Sequence, residues 1–312
     1  MTRFVLRRLG WSLLVLWFVV SATFAMTYVL PVDPVRTMLG PHASPATIER
    51  VRKNLHLDAP LLEQYAFYVG RLAHGDLGTS FRLQRPVTSL IGDAIWPTVQ
   101  LALAALFLQL VLGVPLGVLA ATRRNRPADT AAQVIALLGQ SAPTFFLGPL
   151  LIYVLAYRFG WFPISGYGDH GVLDRLWHVF LPALTLAAGG TALYTRIVRS
   201  DLIETLGEDY VRTARAKGLA PGRVILHHAL RNALLPLVTL VALDLGTLLG
   251  GAIVTEFIFS WPGIGREAML GILNLDLPVI LGVVLFAAVA IVVVNLLVDL
   301  AYAWLDPRVR LE

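Results

Sequence analysis

A chain of 312 residues that is 57% hydrophobic and only 14% charged, with a mean hydropathy of +0.71, has too little polar surface to cover a soluble globule and points to an integral membrane protein. The absence of cysteine excludes disulfides, thiolate metal sites and cysteine nucleophiles. A net charge of +5 would serve nucleic acid only if the cations gathered on one soluble face; they sit instead beside apolar runs, so lipid is the expected partner and nucleic acid is not.

In chain order, Arg3, Arg7 and Arg8 precede an apolar run from Leu9 to about Leu30. A signal peptide has an apolar core of about 7–15 residues and a small-residue cleavage site. This run is longer and shows no such site, so residues 1–30 are expected to hold a cytoplasmic start and a retained first transmembrane helix, stopped by Pro31. Residues 31–96 form the expected external loop. Within it, Ser44-Pro45 suits a helix start, with Ile48, Val51 and Leu55 on one face. A second short helix is expected from Leu61 to Leu72, where Tyr65, Phe67 and Tyr68 read first as packing residues.

Further spans are expected at about Pro97 to Ala121, Ala132 to Tyr157, Val179 to Arg199, Leu234 to Phe257 and Pro278 to Trp304. Each is near the roughly 20 residues a bilayer requires. The expected fold is therefore an all-α membrane protein of six transmembrane helices, with a five-helix core over 97–304, a polar loop at 201–233 and a tail at 305–312. Arg123, Arg124 and Arg126 crowd the second connection, and seven Lys or Arg lie between Arg196 and Arg231. The third connection has Arg158 and Arg175 offset by Asp169 and Asp174, and the fifth has Arg266 with Glu256, Glu267 and Asp276. The excess of basic residues places both termini and the second and fourth connections on the cytoplasmic side.

The fourth connection, Glu204 to Pro236, is a charged island between apolar stretches. Its first half reads as a short amphipathic helix ended by Gly218; Pro221-Gly222 then turn the chain into a basic helix from Arg223 to Asn232. The run Asp209-Tyr210-Val211-Arg212-Thr213-Ala214-Arg215-Ala216-Lys217-Gly218, followed by His228-Ala229-Leu230-Arg231-Asn232-Ala233, closely resembles the cytoplasmic coupling loop of ABC-importer permeases of the dipeptide, oligopeptide and nickel class. Arg212 and Thr213 stand where the broad importer consensus has Glu and Ala, which narrows the resemblance to the peptide class. Similar matches are Leu30-Pro31-Val32-Asp33-Pro34, Leu57-Asp58-Ala59-Pro60, Gly75-Asp76-Leu77-Gly78-Thr79-Ser80, Ser141 to Gly148, Leu181-Pro182-Ala183, Phe259 to Gly265 and Asp306 to Arg310.

The resemblance implies a permease half in a prokaryotic plasma membrane that pairs with a second, homologous permease, two ATPase subunits and an external binding protein, with peptides as cargo. Nickel, glutathione and oligosaccharide are the alternatives. It also implies that Glu208, Asp209, Tyr210, Arg212, Ala214, Arg215, Lys217, Gly218, His228, Arg231 and Asn232 form the element that docks on the ATPase, and that the external loop makes a small cap facing the binding protein.

No phosphate-binding Gly-Lys-Ser/Thr loop exists in the chain, so ATP and Mg are expected to be used by partner subunits and this chain to be no enzyme and to bind no cofactor. His227 and His228 are neighbours about 100° apart on a helix, the wrong spacing for one metal. Asp244 is a lone mid-span carboxylate that either lines a substrate path or bonds a neighbouring helix. Asn295 with Asp299 reads as helix packing, and Gly113 with Gly117, like Gly246 with Gly250, permits close helix approach. An ion-coupled transporter or a membrane enzyme competes less well: the chain shows neither an internal repeat nor a nucleophile or metal motif.

Overall fold

Long apolar runs become helices because only a helix satisfies every backbone group of a single segment inside a bilayer. Helices account for nearly all the regular structure in the computed structural model, which describes residues 2–29, 35, 44–54 and 58–305. Leu30 to Pro34, Leu55, Leu57 and Asp306 to Arg310 fall outside the described residues, as do the side chains of Val51, Asn295 and Asp299.

In order the helices are α1 (Thr2–Val29), α2 (Pro45–Asn54), α3 (Leu61–Ala73), α4 (Val87–Thr122), α5 (Pro127–Ser141), α6 (Thr144–Arg158), α7 (Val172–Thr205), α8 (Asp209–Ala216), α9 (Pro221–Ala233), α10 (Leu235–Gly251), α11 (Ile253–Ile258), α12 (Ile264–Leu273) and α13 (Leu277–Leu305). Among the described residues, three helices are long and apolar enough to cross a membrane: α4, α7 and the Leu277–Val294 part of α13. The number reaches five if each of two bent pairs makes one span, α5 with α6 (104°) and α9 with α10 (47°). The apolar part of α1 is shorter, Gly10–Met26.

The third apolar run was expected to be one helix. It breaks at Ser141-Ala142-Pro143, where Ala142 is extended (φ −80°, ψ 118°) because a residue before proline is pushed out of the helical region. Two other boundaries differ from expectation. α4 begins at Val87, ten residues before Pro97, where Val87, Leu90, Ile91 and Ala94 bury one helical face and packing outweighs a middling helix propensity. Glu256, counted above with the charges of an external connection, is fully buried in α11 and accepts a 2.8 Å hydrogen bond from Thr98 Oγ1.

The chain divides into two compact units, Met1–Pro97 with Pro262–Glu312, and Thr98–Trp261. In the second unit α7 is the central helix. A Cβ on Gly113 or Gly117 of α4 would lie 2.7 Å from the Cβ of Tyr194 or Val198, so the sequence spacing does mark a close crossing of α4 and α7. Leu101, Ala105, Leu106, Tyr194, Val198 and Trp261 pack into one buried cluster there. In the first unit Val87, Leu90, Ile91 and Ala94 pack against Ile264, Ala268, Val279 and Val283.

A polar turn completes the first unit. Ser80 is fully buried and donates to Asp276 Oδ2 at 2.5 Å, while the amides of Phe81 and Arg82 donate to the same carboxylate at 3.0 and 3.2 Å. Asp76 accepts from Arg71 Nε and from the Gly78 amide, both at 2.8 Å, and the Arg71 guanidinium holds its carboxyl below the usual carboxylate range. Burial pushes the Glu267 carboxyl on α12 upward instead.

Candidate functional site

The polar hairpin after α7 is built by local rules. α8 starts at Glu208, whose carbonyl accepts from the Val211 and Arg212 amides at 3.1 and 3.2 Å. Asp209 in the first turn and Arg215 in the last complement the helix dipole. At the far end the Gly218 amide donates to Arg215 at 2.9 Å and the Leu219 amide to Ala214 at 3.4 Å, the paired bonds of a glycine C-cap. Gly218 takes φ +75°, a conformation in which a side chain is strained. The turn expected at Pro221-Gly222 lies one step earlier, at Lys217 to Ala220. Pro221 is the first residue of α9, where its missing amide costs nothing. Within α9, Val224–Ala229 winds as a π-helix.

Apolar burial holds the two halves together. Val211 and Ala214 of α8 pack against Val224, Ala229 and Ala233 of α9, with Leu202 of α7 and Ala121 of α4 in the same cluster and Leu219 against it. Across the open edge, Asn232 Nδ2 donates to Tyr210 Oη at 2.7 Å. Burying about two methyl-sized groups at Val211 contributes roughly 1.5–2 kcal/mol. The exposed Arg212–Asp209 pair at 3.3 Å contributes little, since both side chains stay in solvent.

The expected site residues therefore separate. Glu208, Asp209, Tyr210, Arg212, Arg215, Lys217, Gly218, Arg231 and Asn232 are exposed, His228 is half-buried, and Ala214 faces the interior as a packing residue. The outward surface carries more cations than anions, with Arg223 also on it. The rings of His227 and His228 meet edge to face at 5.5 Å. Asp244 is not on the hairpin but on α10, half-buried, where its carboxylate accepts from Tyr194 Oη and Thr247 Oγ1, both at 3.0 Å.

One polar assembly escaped the sequence reading. Asp129, 3% exposed at the start of α5, takes both prongs of the Arg199 guanidinium at 2.7 and 2.8 Å and also accepts from the Asn125 amide and Gln133 Nε2. Arg199 stands one helical turn before Leu202, whose side chain is in the hairpin's buried cluster. The partners are 70 residues apart with no local pattern joining them.

Long broken helices around α7, with a charged helical hairpin at its end, define a polytopic helical membrane protein rather than a soluble domain. The model of the family described as binding-protein-dependent transport system inner membrane component matches residues 113–311, and that of its N-terminal region matches residues 1–102. The chain belongs to this family. It is 40% identical to the dipeptide transport system permease protein DppB of Escherichia coli (strain K12), with 99% of each chain covered. The glutathione transport system permease protein GsiC of the same strain is 39% identical, again over 99% of each. A solved structure of the MetNI methionine ABC transporter in an inward-facing conformation matches with a TM-score of 0.57 at 20% identity, covering 70% of this chain and 96% of that one. That likeness speaks for the fold alone.

Proposed function

We propose that this chain is half of the translocation path of an ATP-driven importer for di- or oligopeptides delivered by an external binding protein. The cargo reading rests on full-length similarity to a dipeptide permease and to a glutathione permease, glutathione being itself a small peptide. Nickel, glutathione or oligosaccharide is the alternative cargo. In this reading α1, α4, the bent α5–α6, α7, α9–α10 and α13 supply six spans, and both termini and the hairpin are cytoplasmic. A second homologous permease completes the path, and two ATPase subunits use ATP and Mg.

The observation that carries the reading is the hairpin: its inner face is buried in this chain, and its outer face presents shape and positive charge. A rigid, glycine-capped helix of that kind suits docking into a cleft on an ATPase, whose closure it would pass to α7 and α10. Asp244 is proposed to line the path and meet a peptide's amino terminus. Its incomplete burial supports that role, and the Tyr194 bond supports a second one in joining α7 to α10.

Gly218→Val tests the coupling role. A Cβ at Gly218 meets no atom within 4 Å, so within the chain the cost is backbone strain of about 1–2 kcal/mol. The variant is expected to insert and fold at normal levels yet transport poorly and bind the ATPases weakly, whereas Lys217→Arg changes little. Normal uptake by Gly218→Val at normal expression would overturn the coupling assignment.

A further inference from the structure

We propose that α3 is an interfacial helix sunk into the outer leaflet of the bilayer, with the edge formed by Leu62, Ala66, Val69 and Ala73 against lipid acyl chains. This rests on the membrane reading of α1 but on neither cargo nor coupling, and it removes α3 from any surface facing a binding protein.

The depth comes from α1. Tyr65 Oη lies 2.8 Å from Ser21 Oγ and Tyr68 Oη 3.2 Å from Thr23 Oγ1. Both α1 hydroxyls already donate to their own helix, to Trp17 and Val20, so the tyrosines are the donors. The Phe24 ring meets Tyr65 at 5.2 Å and Tyr68 at 5.7 Å. All three α1 residues are inside the apolar stretch Gly10–Met26. At about 1.5 Å per residue, Ser21 lies about 8 Å inward of Met26 and about 20 Å from Arg8, and in a hydrocarbon core of about 30 Å both distances put the Tyr65 hydroxyl below the outer boundary.

The pattern around α3 fits an amphipathic helix at that depth. With residues about 100° apart, Tyr65, Tyr68 and Leu72 face α1, while Leu62, Ala66, Val69 and Ala73 form a separate stripe roughly a quarter turn away. Arg71 lies on the far side from that stripe, tied to Asp76 of the polar turn at 2.8 Å, and Glu63 lies about a quarter turn from it. Leu62 is 80% exposed, a poor surface for water, as are Leu14, Trp17 and Phe18 of α1. A water-borne protein does not reach a stripe at this depth, whereas acyl chains do.

The cysteine-free chain allows a direct test. Bimane is attached to Leu62→Cys, to Val69→Cys and, as the water-facing control, to Glu63→Cys. The assembled transporter is placed in phosphatidylcholine–phosphatidylglycerol vesicles with or without brominated acyl chains, with iodide on both sides so that chain orientation does not affect the outcome. The expected result is severalfold stronger quenching by brominated lipid than by iodide at Leu62 and Val69, and the reverse at Glu63. Iodide quenching at all three sites would make α3 a solvent-facing cap. Protection from both quenchers at Leu62 and Val69 would mean that a protein subunit covers the stripe. Either outcome overturns the proposal, and neither bears on transport.

Discussion

Two buried carboxylates, Asp129 in the Thr98–Trp261 unit and Asp276 in the other, hold together segments far apart in sequence, and they are neutralised in different ways. Asp129 sits at the start of a membrane-length helix pair and faces a full opposite charge, the two-pronged Arg199. Asp276 sits in a turn, and its carboxylate accepts from one serine hydroxyl and two backbone amides. A carboxylate beside an apolar span meets little water, so a counter-ion offsets its desolvation. In a turn the backbone itself provides donors, and they carry no charge to strand if the acceptor is removed.

The largest effect is therefore expected from Asp129→Ala, which strands a guanidinium against apolar surroundings and costs about 3–5 kcal/mol. Thermal unfolding in detergent should show a clearly lower midpoint. Combining Asp129→Leu with Arg199→Met should restore most of that loss, because an apolar pair of similar volume removes both charges at once. If the double variant is no better than Asp129→Ala alone, the ion pair is not what holds α5 to α7.

Asp276→Ala comes next, at roughly 2–3 kcal/mol, for a buried hydroxyl and two amides that lose their acceptor. Here no second side-chain substitution should rescue, since two of the donors belong to the backbone. Full rescue of Asp276→Ala by Ser80→Ala would erase the distinction between the two regions. Arg199→Lys should fall lower, about 1–2 kcal/mol, as a point charge replaces a planar fork.

The smallest effect is a pH dependence in the polar turn. Asp76 has a depressed folded pKa, caused first by the Arg71 hydrogen bond, so its contribution is present above the usual carboxylate range and is lost as pH falls through the folded value. Both partners are substantially exposed, which keeps the effect small. Hydrogen exchange at Gly78, corrected for intrinsic chemistry, should quicken on acidification in the parent chain. Asp76→Asn should remove that acid dependence.

How far each region was legible follows from the range of its forces. The hairpin could be read because its devices are local: a glycine that ends α8, a proline that opens α9, and apolar residues one turn apart between charged ones. Only the start of α9 was misjudged, Pro221 being read as turn rather than first helical residue. Gly113 and Gly117 were legible as a contact surface, though not which helix they meet. Asp129 was not singled out, Arg199 was read only as the end of a span, and Glu256 as an external charge, because burial and pairing across 70 or 158 residues leave no trace in local pattern.

By itself the sequence determined that the chain is a helical membrane protein, roughly where its apolar runs lie, and that Gly218 ends the first helix of the hairpin. Those properties follow from solvent transfer and backbone conformation, which act on neighbouring residues. Only the tertiary structure decided that the run from Ala132 to Tyr157 bends by 104° at Pro143, that Asp129 and Asp276 are structural acceptors, and that Tyr65 and Tyr68 bond α1. Each depends on what the chain brings back from far away to satisfy a buried polar group, and hydropathy along the sequence does not encode that.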